Sequence, residues 1–189
     1  MTADVHVTPD DTPGHAETHQ FLRFALGPET YAVRIDAVRE ILEVVHMTPL
    51  PLMPDFVRGV MNLRGAVVPV IDLGARLGLS TTVIGRRSCV VMVDIPAPEE
   101  GTQTLGVLVD SVYEVFDATY SDQENVPRLG TRISADFIRS MLRVRGQTTA
   151  EIDLASVLEQ TALADLIAQH RPPGALQTST NHHAVNASV

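Results

Sequence analysis

A chain of 189 residues with a formal net charge of -9, 44% hydrophobic and 20% charged, is long enough to bury its own core and repels a phosphate backbone. All 14 basic residues are arginine, which excludes lysine Schiff-base chemistry and a phosphate-loop lysine, and the pair Arg86-Arg87 is too short for a nucleic-acid patch. A single cysteine excludes an internal disulfide, and the absence of Trp makes the core largely aliphatic.

Residues 1–18 are polar, carry Pro9, Pro13, His6 and His15 without periodicity, and are expected to form a flexible arm unlike a secretory signal. A folded body is expected over 19–170. It opens with Leu22, Phe24 and Leu26 in alternation, a four-residue loop Gly27-Pro28-Glu29-Thr30, then Tyr31, Val33 and Ile35 alternating again, the pattern of a hairpin. Asp36 is placed to cap a short helix carrying Ala37, Val38, Ile41 and Leu42 on one face, although the β-branched content also permits an extended course for part of it. Pro49, Pro51 and Pro54 deny ladder donors and mark 48–54 as an ordered or extended loop.

From Phe56 to Leu73 two apolar segments flank Arg64-Gly65, where glycine supplies a positive φ for a tight turn, so a second hairpin is expected. Apolar, often β-branched runs at 88–93, 104–109, 112–118 and 138–144 read as further strands, with Cys89 as a core residue of the first. Over 154–170, Leu154, Val157, Leu158, Ala162, Leu163, Leu166 and Ile167 recur at helical spacing behind Asp153 or Ser156 as caps, a C-terminal amphipathic helix. Arg171-Pro172-Pro173-Gly174 ends it, and 171–189 is expected to be a flexible tail too short for another domain. No repeat of fixed period is visible, and no apolar run approaches the roughly 20 residues of a membrane helix. The pattern implies a mainly β barrel or sandwich, with the cytoplasm as the default compartment.

A search for chemistry comes back empty. The histidines lie mostly in or beside the tails without metal-ligand spacing, so neither a metal nor a cofactor is expected, and only His46 is available to a serine triad that has no nucleophile elbow. Glu99-Glu100 lies in a Pro/Gly loop and Glu40 with Glu43 flanks the short helix, where solvated charge accounts for both pairs. Asp72, Asp94 and Asp110 each follow an apolar run, as turn-forming residues at strand ends do. No enzyme is expected. Asn62 and Arg64 stay unexplained, polar residues set in an apolar hairpin.

Gly59-Val60-Met61-Asn62-Leu63-Arg64-Gly65 and Val68-Pro69-Val70-Ile71-Asp72-Leu73 resemble the signature of the CheW-like domain family. Tyr31-Ala32-Val33, Val38-Arg39-Glu40-Ile41, Thr48-Pro49-Leu50-Pro51 and the run from Leu105 to Val115 follow in family order, with Asp153-Leu154 resembling the aspartate before the last helix. The resemblance spans about 20–165. It implies two intertwined five-stranded SH3-like barrels, short helices and a C-terminal amphipathic helix. It also implies a scaffold without catalysis that couples methyl-accepting chemoreceptors to the histidine kinase CheA in bacterial chemotaxis, held at receptor arrays through its partners. The kinase would be met through its regulatory CheW-like domain and the receptor through its cytoplasmic tip.

Carried over by motif, Val38, Glu40, Ile41 and Arg64, with Val112 and Val115, resemble the receptor-binding stretch, and Arg58, Gly59 and Asn62 the kinase-binding end. A receptor tip is a helical hairpin, so an apolar groove lined by Val38, Ile41, Val112 and Val115 suits its ridge, while Glu40 and Arg64 set register. Against this, the four aliphatics also suit a barrel core, Asn62 a turn, and Gly59 and Gly65 backbone geometry alone. Two departures from the family stand out: Gly74 where an arginine is common, and Glu151 where an apolar strand residue is usual, which puts the packing of the last strand in doubt. The alternatives are an equivalent adaptor of a twitching-motility or other non-flagellar pathway and, more distantly, a small-molecule-binding or enzymatic barrel, which a drug-sized pocket between the barrels would favour.

Overall fold

The computed structural model describes residues 18–97, 101–119, 123–124 and 132–158. In chain order come β1 (Thr18–Leu26), β2 (Glu29–Arg34), a 3-10 turn (Ile35–Ala37), β3 (Val38–Glu43), β4 (Val57–Leu63), β5 (Ala66–Asp72) and the one-turn helix α1 (Leu73–Arg76). They are followed by β6 (Cys89–Ala97), β7 (Gly101–Val109), β8 (Ser111–Thr119), β9 (Gln123–Glu124), a second 3-10 turn (Ala135–Phe137), β10 (Ile138–Val144), β11 (Gln147–Ile152) and α2 (Leu154–Val157). The expected mainly β architecture is therefore present, as two sheets ordered β8-β1-β2-β11-β10-β9 and β3-β6-β7-β5-β4.

Three local readings change. The first hairpin turns through Gly27-Pro28 alone, because Gly27 at φ 58 reverses the chain in two residues and Leu26 pairs directly with Glu29. The helix expected behind Asp36 ends as the 3-10 turn, and Val38–Glu43 is strand β3, whose pairing with β6 outweighs a weak helical pattern rich in β-branched residues. His19, expected beside the tail, is buried in β1. Of the C-terminal helix, only Leu154–Val157 falls within the described residues, capped by Asp153 as expected; 159–170 lies outside them.

The two sheets are the same construction made twice. In each, an edge strand (β3 or β8) runs antiparallel to the first strand of a hairpin (β6-β7 or β1-β2). The second strand of that hairpin lies parallel to the last strand of another, β5 of β4-β5 or β11 of β10-β11. The correspondence reaches residue level without a gap. Phe56, Arg58, Arg64, Gly65, Ile71, Asp72, Leu73 and Leu77 recur at one constant spacing as Phe137, Arg139, Arg145, Gly146, Ile152, Asp153, Leu154 and Leu158. The bulge in β4 between Val57 and Gly59 recurs in β10 between Ile138 and Ser140. The repeat is hard to see in the sequence because identity is confined to turns, caps, their partners and a few core positions, while Val67-Val68-Pro69-Val70 corresponds to Thr148-Thr149-Ala150-Glu151.

Each barrel has its own small interior, Met61, Val68, Val70, Val90, Met92 and Leu108 in one and Phe21, Ala32, Ala118, Leu142 and Val144 in the other. The largest apolar cluster lies between them, where Phe24, Ile71, Val93 and Leu105 of the two sheets and Leu73 and Leu154 of the two short helices are buried. Each such aliphatic side chain contributes about 1.5–3 kcal/mol. A void of about 10 Å³ lies at the centre of this cluster and a cleft of about 220 Å³ opens at its edge beside Arg34, Asp94, Arg139 and Asp153; among the described residues, both are smaller than a drug-sized site. Cys89 packs against the same cluster. Glu151 resolves the packing doubt by pointing inward, 2% exposed, and accepting a 2.5 Å hydrogen bond from the Ser140 hydroxyl.

Candidate functional site

Arg64 stands at the tip of β4-β5 with φ 51, followed by Gly65 at φ 91. Two successive positive φ values are what a two-residue hairpin turn matching the strand twist requires, and Asn, Asp or Gly is the low-cost residue there. An arginine costs about 1–2 kcal/mol in that conformation. Its ion pair with Glu40 of β3, at 3.5 Å and with the arginine side chain 82% exposed, returns little. The residue type at the tip is thus not explained by stability. Asn62 does have a local explanation, since its Oδ1 accepts the Gly65 amide at 2.9 Å and closes the turn.

Around the pair, Ile41 of β3 and Val67 of β5 are exposed, whereas Val38 is half-buried against the inter-barrel cluster. A bulge at Arg39 sets this pattern, and Arg39 itself turns to Thr104 and Asp94. The outcome is an aliphatic surface with one guanidinium and one carboxylate, suited to docking a ridge of similar chemistry.

Arg58 and Gly59, the residues expected at the kinase end, are held by the fold. Arg58 donates to the Asp72 carboxylate at 3.2 Å and to the Thr82 carbonyl at 3.1 Å, leaving its side chain 24% exposed. Asp72 is fully buried and also accepts the amides of Ala75 and Thr82, capping α1 and anchoring the segment that follows. At Gly59, φ is 136, and a Cβ would overlap the Thr48 carbonyl oxygen and lie 2.8 Å from its carbon. Thr48 exchanges two 2.9 Å backbone hydrogen bonds with Val60, which pins the proline-rich segment to β4. Gly74 tolerates no side chain either, since a Cβ would lie 2.6 Å from the Ser80 carbonyl; the family's usual arginine cannot stand in this turn.

Val112 and Val115 lie on β8, in the other sheet from Val38 and Ile41. Val112 packs against the inter-barrel cluster and Val115 is exposed, as Val38 and Ile41 are respectively. Between them Glu114 pairs with Arg145 at 3.2 Å and with Arg23 at 3.3 Å, two residues absent from the expected set together with Glu114. The signal for them was present as a second Arg-Gly turn and a second Val-x-Glu-aliphatic run. An open cleft of about 680 Å³ adjoins this group through Arg23 and extends beside Glu29, Tyr31 and Arg132. Burial, then the hydrogen bond to Glu29, push the Tyr31 phenol above its usual range. Among the described residues no cluster could hold a metal ion, and no helix is long and apolar enough to cross a membrane.

Two interlocked small barrels around a filled core, with exposed aliphatic surface beside tip arginines, define a docking module built for protein partners. The chain belongs to the CheW-like domain family, whose model matches residues 20–162. It is 31% identical over 138 residues to the chemotaxis protein CheW of Rhizobium meliloti, covering 73% of this chain and 86% of that one. Protein FrzA of Myxococcus xanthus is 31% identical over 152 residues, covering 79% and 91%. The crystal structure of the scaffolding protein TtCheW from Thermoanaerobacter tengcongensis superposes with a TM-score of 0.68 at 29% identity, covering 76% of this chain and 94% of that one.

Proposed function

We propose that this chain is a non-catalytic chemotaxis adaptor of the cytoplasm that couples chemoreceptor tips to the regulatory CheW-like domain of the kinase CheA. The observation that carries this reading is Arg64, an arginine kept at a strained, exposed turn position where stability favours another residue. Family membership and the likeness to a named scaffolding protein support it. In this reading the receptor is met by Val38, Glu40, Ile41 and Arg64, with Val112 and Val115 contributing from β8. The kinase is met near Arg58, Gly59 and Asn62, where the pinned 48–54 segment gives β4 a fixed outer surface.

The test is a binding assay of the purified chain against a receptor-tip fragment and the kinase regulatory domain. Arg64→Glu is expected to weaken receptor binding about tenfold or more while sparing the kinase. Wild-type protein that binds neither partner overturns the adaptor reading; unchanged receptor binding by Arg64→Glu overturns only the assignment of the site. The similarity to FrzA supports a second reading, an adaptor of a non-flagellar chemosensory pathway. Complementation of a strain lacking its own adaptor in each pathway separates the two.

A further inference from the structure

The Arg64–Glu40 surface has a counterpart in the other barrel that matches it residue for residue. Both edge strands carry a one-residue bulge, at Arg39 in β3 and at Tyr113 in β8. With the bulges matched, Val38, Glu40 and Ile41 of β3 coincide with Val112, Glu114 and Val115 of β8. In both barrels the glutamate meets an arginine from a hairpin tip, Arg64–Glu40 at 3.5 Å and Arg145–Glu114 at 3.2 Å. Both arginines occupy left-handed backbone, φ 51 and φ 48, ahead of a positive-φ glycine. Both are about four-fifths exposed, so neither pair repays the strain at its turn.

Such duplication is not a requirement of folding. Between the same two hairpins the strand residues differ, Val67-Val68 against Thr148-Thr149 and Gly59 and Val70 against Ser140 and Glu151, and the positive φ of Gly59 is absent at Ser140, while the strand pairing and the bulge correspond. The tip arginine, the glutamate and the exposed aliphatic beside it are retained in both copies.

We propose that β8 and the β10-β11 tip form a second docking surface, built from Tyr113, Glu114, Val115 and Arg145, for a helical hairpin of the same class as docks at Glu40 and Arg64. This rests on the adaptor reading and assigns Val112 and Val115 to a site of their own. The charge balance specifies the occupant further. Among the described residues, Glu114 is flanked by two guanidiniums, those of Arg145 and Arg23, whereas Glu40 is within ion-pair distance of Arg64 alone. Arg23 also lies over the exposed ring of Tyr113, 5.8 Å from its centroid. Two guanidiniums beside one carboxylate thus place positive charge next to Tyr113 and Val115 at the hairpin-tip end of the surface, with Asp117 exposed farther along β8, and that end selects a helix with an acidic side chain next to its apolar ridge.

The test is titration calorimetry of the full chain with a monomeric two-helix fragment of a receptor tip, using wild type, Arg64→Gly, Arg145→Gly and the double variant. Glycine is chosen because it removes the side chain while relaxing the positive-φ turn, so the fold is retained and thermal unfolding midpoints stay at or above wild type. Two fragments per chain are expected for wild type, with either single change weakening one of the two sites about tenfold or more and the double change weakening both. One fragment per chain, lost with Arg64→Gly and unaffected by Arg145→Gly, overturns the second surface and leaves the adaptor reading standing. No binding to wild type overturns both. A lower unfolding midpoint for Arg145→Gly shows that the arginine braces the hairpin, and equally overturns the assignment.

Discussion

Replacing Gly59 by alanine separates a backbone requirement from a contact residue. A Cβ at this position meets the Thr48 carbonyl, which is backbone and cannot swing aside, and φ is 136, a conformation that side chains avoid. Holding alanine there costs about 1–3 kcal/mol. Moving the 48–49 segment away breaks the two Thr48–Val60 hydrogen bonds, each worth about 0.5–1.5 kcal/mol. The expected loss is thus about 2–6 kcal/mol. Gly65→Ala is the control: φ is 91, nothing lies within 4 Å, and only the conformational cost of about 1 kcal/mol applies. Urea unfolding of the two variants gives the comparison, with binding of the kinase regulatory domain measured alongside. Gly59→Ala should be the less stable by at least about 1 kcal/mol, and any weakening of kinase binding should accompany release of the 48–54 segment. Equal stability of the two variants refutes the reasoning.

The internal duplication yields a further comparison: Asp72→Ala should cost about 3–5 kcal/mol, because it strips a buried carboxylate from Arg58, Thr82 and Ala75, whereas Asp153→Ala, at a half-buried cap, should cost about 1 kcal/mol by the same unfolding assay. Ser140→Ala leaves the Glu151 carboxylate buried without its donor and should cost about 1–3 kcal/mol, while Glu151→Val, which restores the residue type of Val70, should be neutral or stabilising in denaturant melts. Tyr31 is held protonated by burial and by Glu29, so its folded pKa lies above its unfolded one; the stability this provides is complete below about pH 10 and declines as pH rises beyond it. Tyr31→Phe should flatten that decline in unfolding experiments at about pH 9 and pH 11, and an unchanged slope counts against the assignment.

Most of the strands were legible because alternation and β-branched runs report burial on a pleated face, and the Arg64-Gly65 hairpin because its turn chemistry is local. Val38–Glu43 was misjudged for a physical reason: Val38, Ile41 and Leu42 fit a helical face, and only pairing with β6, more than 40 residues away, makes them a strand. Arg58 offered no clue that it would be tied to Asp72, since the salt bridge depends on the β4-β5 register and on the bulge beside Gly59. The group on β3 proposed to face the receptor was drawn from its motif alone. On β8 the sequence offered only Val112 and Val115, as members of that same group, because Arg145 belongs with Glu114 solely in three dimensions.

The parallel pairing of β2 with β11 also bears on how the chain is made. Tyr31 and Ala32 are synthesised more than a hundred residues before Ala150 and Glu151, with which they pair. During elongation the first hairpin therefore presents an open edge until β10 and β11 have been made. The other barrel, β3 to β7, has all its strands much sooner and is the natural template on which the late-closing half assembles.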